Sequence, residues 1–335
     1  MVPEVSVVIP FYNRHEYIAR SVQSVLNQTV QNFELIFVDD GSADASFTVV
    51  SKLLSDLHDT RIRLLHQSHT GVSAARNKGI EASQSELIAF LDSDDEWKPD
   101  FLKTILRLQK QFPQAGLYAT SYEIVKQNGR KKYPKFTLLP PAPWEGILPN
   151  YFNIVGKSDP VKMFAMAVPK QIFDTVGMFS IDLNTGEDAE LKFRIAIRYP
   201  IAFSHYCGCI HYLNACNRIG NDPRRCVYIP IRIRKMKNVI DNNEVQICRV
   251  QDVKKFITRS QINYGKDLIS LGEKKKARSV LVHSETPCFK LRRLFWLVMS
   301  LLPYSIIKLL VKIRCKYKTS SLYGRISVNL KNKMD

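Results

Sequence analysis

Four short apolar runs limit what this chain can fold into. Val5–Pro10 (VSVVIP), Phe33–Val38 (FELIFV), Ile62–Leu65 (IRLL) and Leu87–Leu91 (LIAFL) are rich in β-branched and aromatic residues and too short for helices. Between them, apolar residues recur at helical spacing: Ile18, Val22, Val25 and Leu26; then Phe47, Val50, Leu53, Leu54 and Leu57; then a helix through Ala74 to Ala82 after a turn at Gly71. Asp44 is placed to cap the second of these helices. Strands apolar on both faces, alternating with helices, predict an α/β fold: a mainly parallel, Rossmann-like sheet with helices on both faces.

The pattern becomes mixed after a helix over Phe101–Phe112. Gly116–Val125 and Phe164–Val168 read as strands, Gly129–Pro149 as a surface loop, and Leu191, Ile195 and Ile197 fit a helix behind Glu187-Asp188. From Asp252 to about Ser284, two helical segments flank Leu271-Gly272 as in a helical hairpin. Charge divides the chain: residues 1–205 hold 22 Lys and Arg against 23 Asp and Glu, residues 206–335 hold 27 against 8. A neutral first part joined to a strongly basic end implies an anionic partner for that end, whether nucleic acid, membrane surface or acidic substrate. Seven Cys without the density of a disulfide scaffold suggest a reducing compartment, and no charged and apolar leader opens the chain, so secretion is not expected.

Two acidic clusters follow predicted strands: Asp39-Asp40 after the second and Asp92-Ser93-Asp94-Asp95 after the fourth. In an open parallel sheet ligands bind beyond the carboxyl ends of strands, and adjacent strands are ~4.8 Å apart, so both clusters can border one cleft. Massed carboxylates require a cation; Mg²⁺ or Mn²⁺ bridging a diphosphate suits them. The plainer reading makes these residues turn formers and helix caps, which fits Asp44 and Asp39.

The segments VSVVIPFYNR, FVDDGSAD, GVSAARNKGIEAS and LIAFLDSDDEW, in this order and at these separations, closely resemble the family 2 glycosyltransferases of GT-A fold, of the type that builds bacterial surface polysaccharide. The resemblance is strong over residues 3–125 and extends through GEDAEL to about residue 215. It implies that Pro10 and Tyr12 border a nucleobase, Tyr12 by stacking, while Asp40 accepts from the base edge. It implies that Arg76 neutralises phosphate, Asp92 holds the ribose hydroxyls and Asp94 ligates Mn²⁺ or Mg²⁺; Asp95 is either a further carboxylate of the site or a cap for the next helix. Glu187-Asp188 resembles the family's ED motif, implying Asp188 as general base of an inverting single displacement; Glu187 either orients the acceptor or is structural, and both could instead simply begin a helix. His211 and Arg218 are candidates for contacts with the diphosphate from a mobile loop around 205–218; His205 reads equally as a packed core histidine. Cys207, Cys209, Cys216 and Cys226 lack the paired C-x2-C knuckles of common zinc sites, so buried thiols are the better reading.

The implied organisation is a GT-A catalytic domain over 1–215, with a nucleotide-sugar half (1–125) and an acceptor half (126–215). A basic loop or linker follows over 216–250, then a helical, basic, membrane-associating extension over 251–335. The implied partners are a nucleotide-sugar, with UDP preferred, a glycan or lipid-linked acceptor and an anionic membrane surface, with no nucleic acid, at the cytoplasmic face of the inner membrane. A nucleotidyltransferase making nucleotide-sugars is the alternative of similar chemistry, disfavoured because VVIPFYNR has no glycine-rich basic loop. A nucleic-acid-binding protein is the alternative suggested by the basic end, disfavoured because no stacking motif accompanies the charge. Leu294–Ile313 has 15 apolar or aromatic residues in 20, but Pro303, Lys308 and Lys312 interrupt it. Two amphipathic helices, Leu291–Leu302 and Tyr304–Ile313, lying in a membrane interface fit better than one span.

Overall fold

The computed structural model describes residues 2–155, 159–183, 185–214, 229–242, 250–284, 289–303 and 305–306. The chain divides into two compact units, Met1–Tyr228 with Asn243–Val245, and Ile229–Asn242 with Gln246–Asp335. The first unit contains β1 (Val5–Phe11), α1 (Ile18–Leu26), β2 (Phe33–Asp39), α2 (Ser46–Leu57), β3 (Ile62–His66), α3 (Val72–Ala82), β4 (Leu87–Phe90), β5 (Glu96–Trp97) and α4 (Phe101–Gln111). It continues with β6 (Leu117–Val125), β7 (Lys131–Lys132), β8 (Glu145–Ile147), α5 (Tyr151–Val155), β9 (Met166–Pro169), α6 (Lys170–Val176), α7 (Glu187–Arg198) and β10 (Ile201–Tyr212).

Among the described residues the strands form one sheet in the order β3-β2-β1-β4-β9-β6-β10-β5, with β7 on β6 and β8 on β10. β1 to β4 are mutually parallel; β1, β2 and β4 are buried on both faces, while β3, at the sheet edge, is only partly buried. β9 runs against both β4 and β6, and β6 and β10 are parallel again. The chain moves outward from β1 to β2 and β3, then returns to place β4 on the other side of β1. That reversal opens a crevice at the carboxyl ends of β1 and β4. Asp39-Asp40 and the Asp92–Asp95 loop therefore flank the end of β1, on strands two spacings apart.

Side-chain alternation along β1 and β2 explains the helices on both faces. Val5, Val7, Ile9, Leu35 and Phe37 join Ile18, Val22 and Val25 of α1 and Phe101, Ile105 and Leu108 of α4 in the main core. Ile36 and Val38 point the other way, against Ala75 of α3. α3 lies so close to the sheet that a Cβ on Gly79 would sit 2.4 Å from Val8 Cγ1. Asp44 is not the cap of α2: the N-cap is Ala45, which makes no side-chain cap bond, and Asp44 stands one residue before it, its Oδ1 accepting from the Ser46 backbone N–H at 2.9 Å.

The second unit contains α8 (Ile229–Asp241), α9 (Val250–Ser270), α10 (Lys274–Val282) and α11 (Lys290–Leu301). α9 and α10 form the expected hairpin, turning at Gly272 (φ +85°). The stretch 216–250, read as a linker, contains α8, whose Ile233, Met236 and Val239 are buried at helical spacing, and the boundary between the units falls after Tyr228 instead of residue 215. α11 matches the first expected tail helix; most of the second, Tyr304–Ile313, lies outside the described residues. No helix among the described residues is long and apolar enough to cross a membrane.

β10 is the largest departure from the sequence reading. The region around His205 to His211, expected as a mobile loop, is a twelve-residue strand paired with β6, β5 and β8. Its register on β6 shifts between Ser204 and Cys209, so IAFSHYCGCIHY shows no clean alternation. Cys207 and Cys209 are thiols in this strand, Cys209 fully buried, while Cys216 and Cys226 lie outside the described residues.

Two glycines offer a comparison. Gly41 follows β2 at φ +72°, and a Cβ there would meet the His69 backbone nitrogen at 2.6 Å. Gly129 has nearly the same φ, +74°, with open space around it. Gly129→Ala should lower stability by about 1–2 kcal/mol, the left-handed backbone penalty alone. Gly41→Ala should lower it by about 3 kcal/mol or more, because backbone must also move. Urea unfolding of both variants checks the order.

Candidate active site

The crevice is built from strand ends and the loops they hold. Tyr12, just past β1, is exposed, and its ring stacks on His69 with centroids 4.0 Å apart. Pro10 is buried within β1 two residues earlier. Asp39 is a structural turn residue: its Oδ1 accepts from the Ser42 backbone N–H at 3.1 Å, and its Oδ2 lies 2.8 Å from His66 Nδ1. The neighbouring Asp40, 3% exposed, organises the loop between β3 and α3. Its Oδ1 accepts from Gln67 Nε2 at 2.8 Å and the Thr70 N–H at 3.0 Å. Its Oδ2 accepts from the Gly71 N–H at 2.9 Å and lies 2.9 Å from His69 Nδ1. The residue expected to read a base edge thus already carries protein donors on both oxygens.

The Asp92–Asp95 loop is fixed at three points. Asp92 Oδ1 accepts from Arg76 at 2.9 Å. The Asp94 carbonyl accepts from Arg20 Nη2 at 2.5 Å, and that guanidinium lies 3.6 Å above the Tyr212 ring. Asp95 is fully buried; its Oδ1 accepts from the Tyr212 N–H at 3.0 Å, and its Oδ2 lies 2.8 Å from His211 Nδ1. Burial pushes the Asp95 carboxyl up to about 6 against the opposing pull of His211. The expected choice between a site carboxylate and a cap for the next helix therefore resolves into a third role: Asp95 ties the loop to the end of β10. His211 is its partner, stacked on Phe164 at 4.5 Å, and is held on a strand instead of a mobile loop. Arg218 lies outside the described residues. His205 is in the strand, its Nε2 2.9 Å from the Pro140 carbonyl.

α3 joins the two halves of the site. Three residues on one face of it grip the segment that leads into α7. Ser73 donates to the Leu183 carbonyl at 3.1 Å, and Asn77 exchanges two 2.9 Å bonds with the Phe179 backbone. Between them Arg76, 4% exposed, donates to Glu187 Oε1 at 2.7 Å as well as to Asp92. The guanidinium expected on phosphate is therefore held by two carboxylates. Burial alone would lower the Arg76 pKa, but Asp92 and Glu187 raise it. Burial pushes the Glu187 carboxyl up, with Arg76 opposing.

Asp188, in the first turn of α7, faces a different set of charges. Its Oδ2 lies 3.0 Å from Lys192 Nζ, one turn along the same helix. Burial raises its carboxyl, but Lys192, with Lys162 and Arg76, outweighs burial and holds it well below the usual carboxylate range. At neutral pH Asp188 is ionised and able to accept a proton. Sequence reasoning missed Arg20, Ser73, Asn77, Asp159, Lys162 and Lys192; only the Ser73, Arg76, Asn77 spacing on one helical face could have flagged any of them.

Among the described residues no three His, Cys, Asp or Glu side chains converge as a complete cage for a metal ion. The donor set fits a hard cation that takes one or two carboxylates and fills its shell with water and phosphate oxygens. Asp94 is half-buried, and Asp92 has one oxygen that Arg76 does not take. Asp95 is committed to β10.

Comparison with known proteins gives the family and the fold. The sequence profile described as "Glycosyl transferase family 2" matches residues 6–173. The putative colanic acid biosynthesis glycosyl transferase WcaA of Escherichia coli (strain K12) is 31% identical over 199 residues, 59% of this chain and 67% of that protein. The putative glycosyltransferase EpsH of Bacillus subtilis (strain 168) is 45% identical over 105 residues, 31% of this chain; the match spans only 30% of EpsH. The crystal structure of S. aureus TarS 1-349 in complex with UDP-GlcNAc superposes with a TM-score of 0.65 at 18% identity, covering 83% of this chain and 79% of that one. At that identity the likeness establishes the fold, the GT-A type that the motifs implied.

If Arg76 is the link between the halves, its removal strands two carboxylates. Arg76→Met should destabilise the first unit by about 3–5 kcal/mol. Adding Glu187→Gln should restore part of that, so the double variant is markedly less unstable than the sum of the singles. A thermal or urea double-mutant cycle on the full chain measures the coupling.

Proposed function

The chain belongs to glycosyl transferase family 2, and we propose that it moves a sugar from a nucleotide-sugar, with UDP as the nucleotide, to a hydroxyl of a glycan or lipid-linked glycan by inverting single displacement. The observation that carries this reading is the buried Arg76, whose two bonds tie the strand-end carboxylate Asp92 to the ED pair on α7. In the crevice the base stacks on Tyr12 beside Pro10, and Asp40 receives its edge in exchange for the Gln67 amide. Asp92 takes the ribose hydroxyls. Arg76 contributes positive charge beside the diphosphate while its N–H groups stay on the two carboxylates, and Arg218 is a further candidate contact there.

Asp188 accepts the proton of the acceptor hydroxyl. That oxygen forms its bond to the anomeric carbon as the bond from this carbon to the diphosphate oxygen breaks. The bonding pair departs with the nucleoside diphosphate, and the configuration inverts. Glu187 holds Arg76 and so orients the helix turn that carries the base. Mn²⁺ or Mg²⁺, held by Asp94, would offset the charge of the departing diphosphate. A UDP-sugar in the TarS crystal structure supports the choice of nucleotide, and a relative named for colanic acid biosynthesis supports a polysaccharide product.

The second unit supports a peripheral place on the cytoplasmic face of the inner membrane. On α11, Leu291, Leu294, Phe295, Val298 and Leu301 are each about half or more exposed along one stripe, opposite the buried Trp296, Met299 and Ser300. Lys290, Arg292 and Arg293 begin the same helix. An apolar stripe with a basic end suits an interface of anionic headgroups. Full chain should bind anionic vesicles, more weakly but still measurably at high salt, since each basic residue near the surface adds ~1 kcal/mol that salt screens while apolar insertion persists. Binding to duplex DNA well above binding to heparin would contradict this.

A donor screen following nucleoside diphosphate release with Mn²⁺ identifies the sugar. Asp188→Asn should then lose transfer by about 10²–10⁴-fold with UDP affinity changed no more than a few-fold. Asp94→Ala should weaken UDP binding in Mn²⁺ and change little in EDTA, read by calorimetry. Full transfer by Asp188→Asn, or equal UDP affinity of Asp94→Ala and wild type in Mn²⁺, contradicts the respective assignment.

A further inference from the structure

Lys192 is one of the largest fully buried side chains, 1% exposed, in a helix whose other buried residues are mostly apolar. A buried ammonium is costly unless all three donors are satisfied. Here they are: Nζ donates to the Val161 carbonyl at 2.7 Å, lies 3.1 Å from Asp159 Oδ2 and 3.0 Å from Asp188 Oδ2. Asp159 is itself anchored: its Oδ1 accepts from the Val161 N–H at 3.1 Å, and its carbonyl from the Tyr122 hydroxyl at 3.2 Å. Lys192 is thus fixed from the segment before β9, and the mechanism above gives it no part. Resting on the assignment of Asp188 as base, we propose that Lys192 is a positioning residue that fixes the Asp188 carboxylate and keeps it in its proton-accepting form.

The charges around Asp188 explain the need. Glu187 adjoins it on α7, Asp159 approaches from the segment before β9, Tyr151 of α5 is close enough to feel its charge, and burial adds its own penalty. Glu187, Asp159 and burial each favour a neutral carboxyl, which cannot take a proton, while burial keeps the Tyr151 phenol neutral so that it adds no charge. Arg76 from α3 and Lys162 oppose them from a greater distance, while Lys192 is in contact. Burial would lower the Lys192 pKa, but Asp159 and Asp188 outweigh it and raise it well above the usual lysine range. The base is weakened by this pairing, and a weak base suffices late in the displacement. By then the attacking oxygen has bonded to the anomeric carbon and its proton has become strongly acidic.

The test titrates the Asp188 carboxyl in the full chain carrying ¹³Cγ-labelled aspartate, the resonance identified by its loss in Asp188→Asn. In wild type it should stay flat from about pH 8 down to about pH 3.5, below the ordinary aspartate midpoint of ~3.9. In Lys192→Gln its midpoint should rise into that window, about tenfold or more in proton affinity, and Lys192→Arg should restore the flat profile. If Lys192→Gln does not fold with Asp159 left unpaired, Lys192→Gln with Asp159→Asn removes the stranded carboxylate and should show the same rise. A wild-type resonance that titrates in the ordinary range, or a flat profile in every folded variant without Lys192, overturns the proposal. Nucleoside diphosphate release from the donor found by screening, measured against pH, separates the two readings. The acid limb should move up with the resonance in Lys192→Gln; a shifted resonance in a chain whose Asp188→Asn variant transfers normally refutes the base, not the role of Lys192.

Discussion

The Arg76 guanidinium, with one N–H bond to Glu187 and one to Asp92, decides where the rest of the site can be. Asp92 follows β4 and Glu187 begins α7, 95 residues later in the chain. Such a separation is entropically expensive to close and needs specific anchors. α3 provides them, held flat on β1 by the absence of a side chain at Gly79 and presenting Ser73, Arg76 and Asn77 toward the segment before α7. Removing either carboxylate leaves a buried positive charge half paired; removing the arginine leaves two carboxylates facing each other.

The same problem, carboxylates crowded near a place that must receive more negative charge, is solved separately at each residue. Asp39 and Asp40 accept from the turns around them, Asp95 is paired with His211 behind the loop, and Asp188 with Lys192. Asp92 keeps one oxygen that Arg76 does not take, and beside Asp94 a donor set of that size suits a hard cation only when phosphate completes its shell. Fixing the charges in advance means that little reorganisation accompanies the reaction, which is where such sites gain most.

The parallel half of the fold was legible in the sequence because β1, β2 and β4 are buried on both faces and their residues say so directly. β10 was not, because shifts in its register on β6 break the alternation and it carries His, Cys and Ser among its apolar residues. α8 was hidden because basic residues outnumber the three apolar ones it buries. In the site, the carboxylates were legible as clusters after strands, and Asp188 as half of a pair. Their partners were not: Lys192 to Asp159, Asn77 to Phe179 and Ser73 to Leu183 are bonds between distant parts of the chain, and no local pattern specifies them. Asp95 shows the limit in the other direction, since its place in an acidic run suggests a further site carboxylate or a helix cap, while the structure buries it against His211.

A single displacement with Asp188 as base fixes the stereochemistry of the product. Once a donor is identified, ¹H NMR of the newly formed linkage reads the anomeric configuration from its one-bond and vicinal couplings. The account predicts inversion relative to the nucleotide-sugar. Retention would require two successive displacements or attack from the leaving-group face of the ring, and would contradict it.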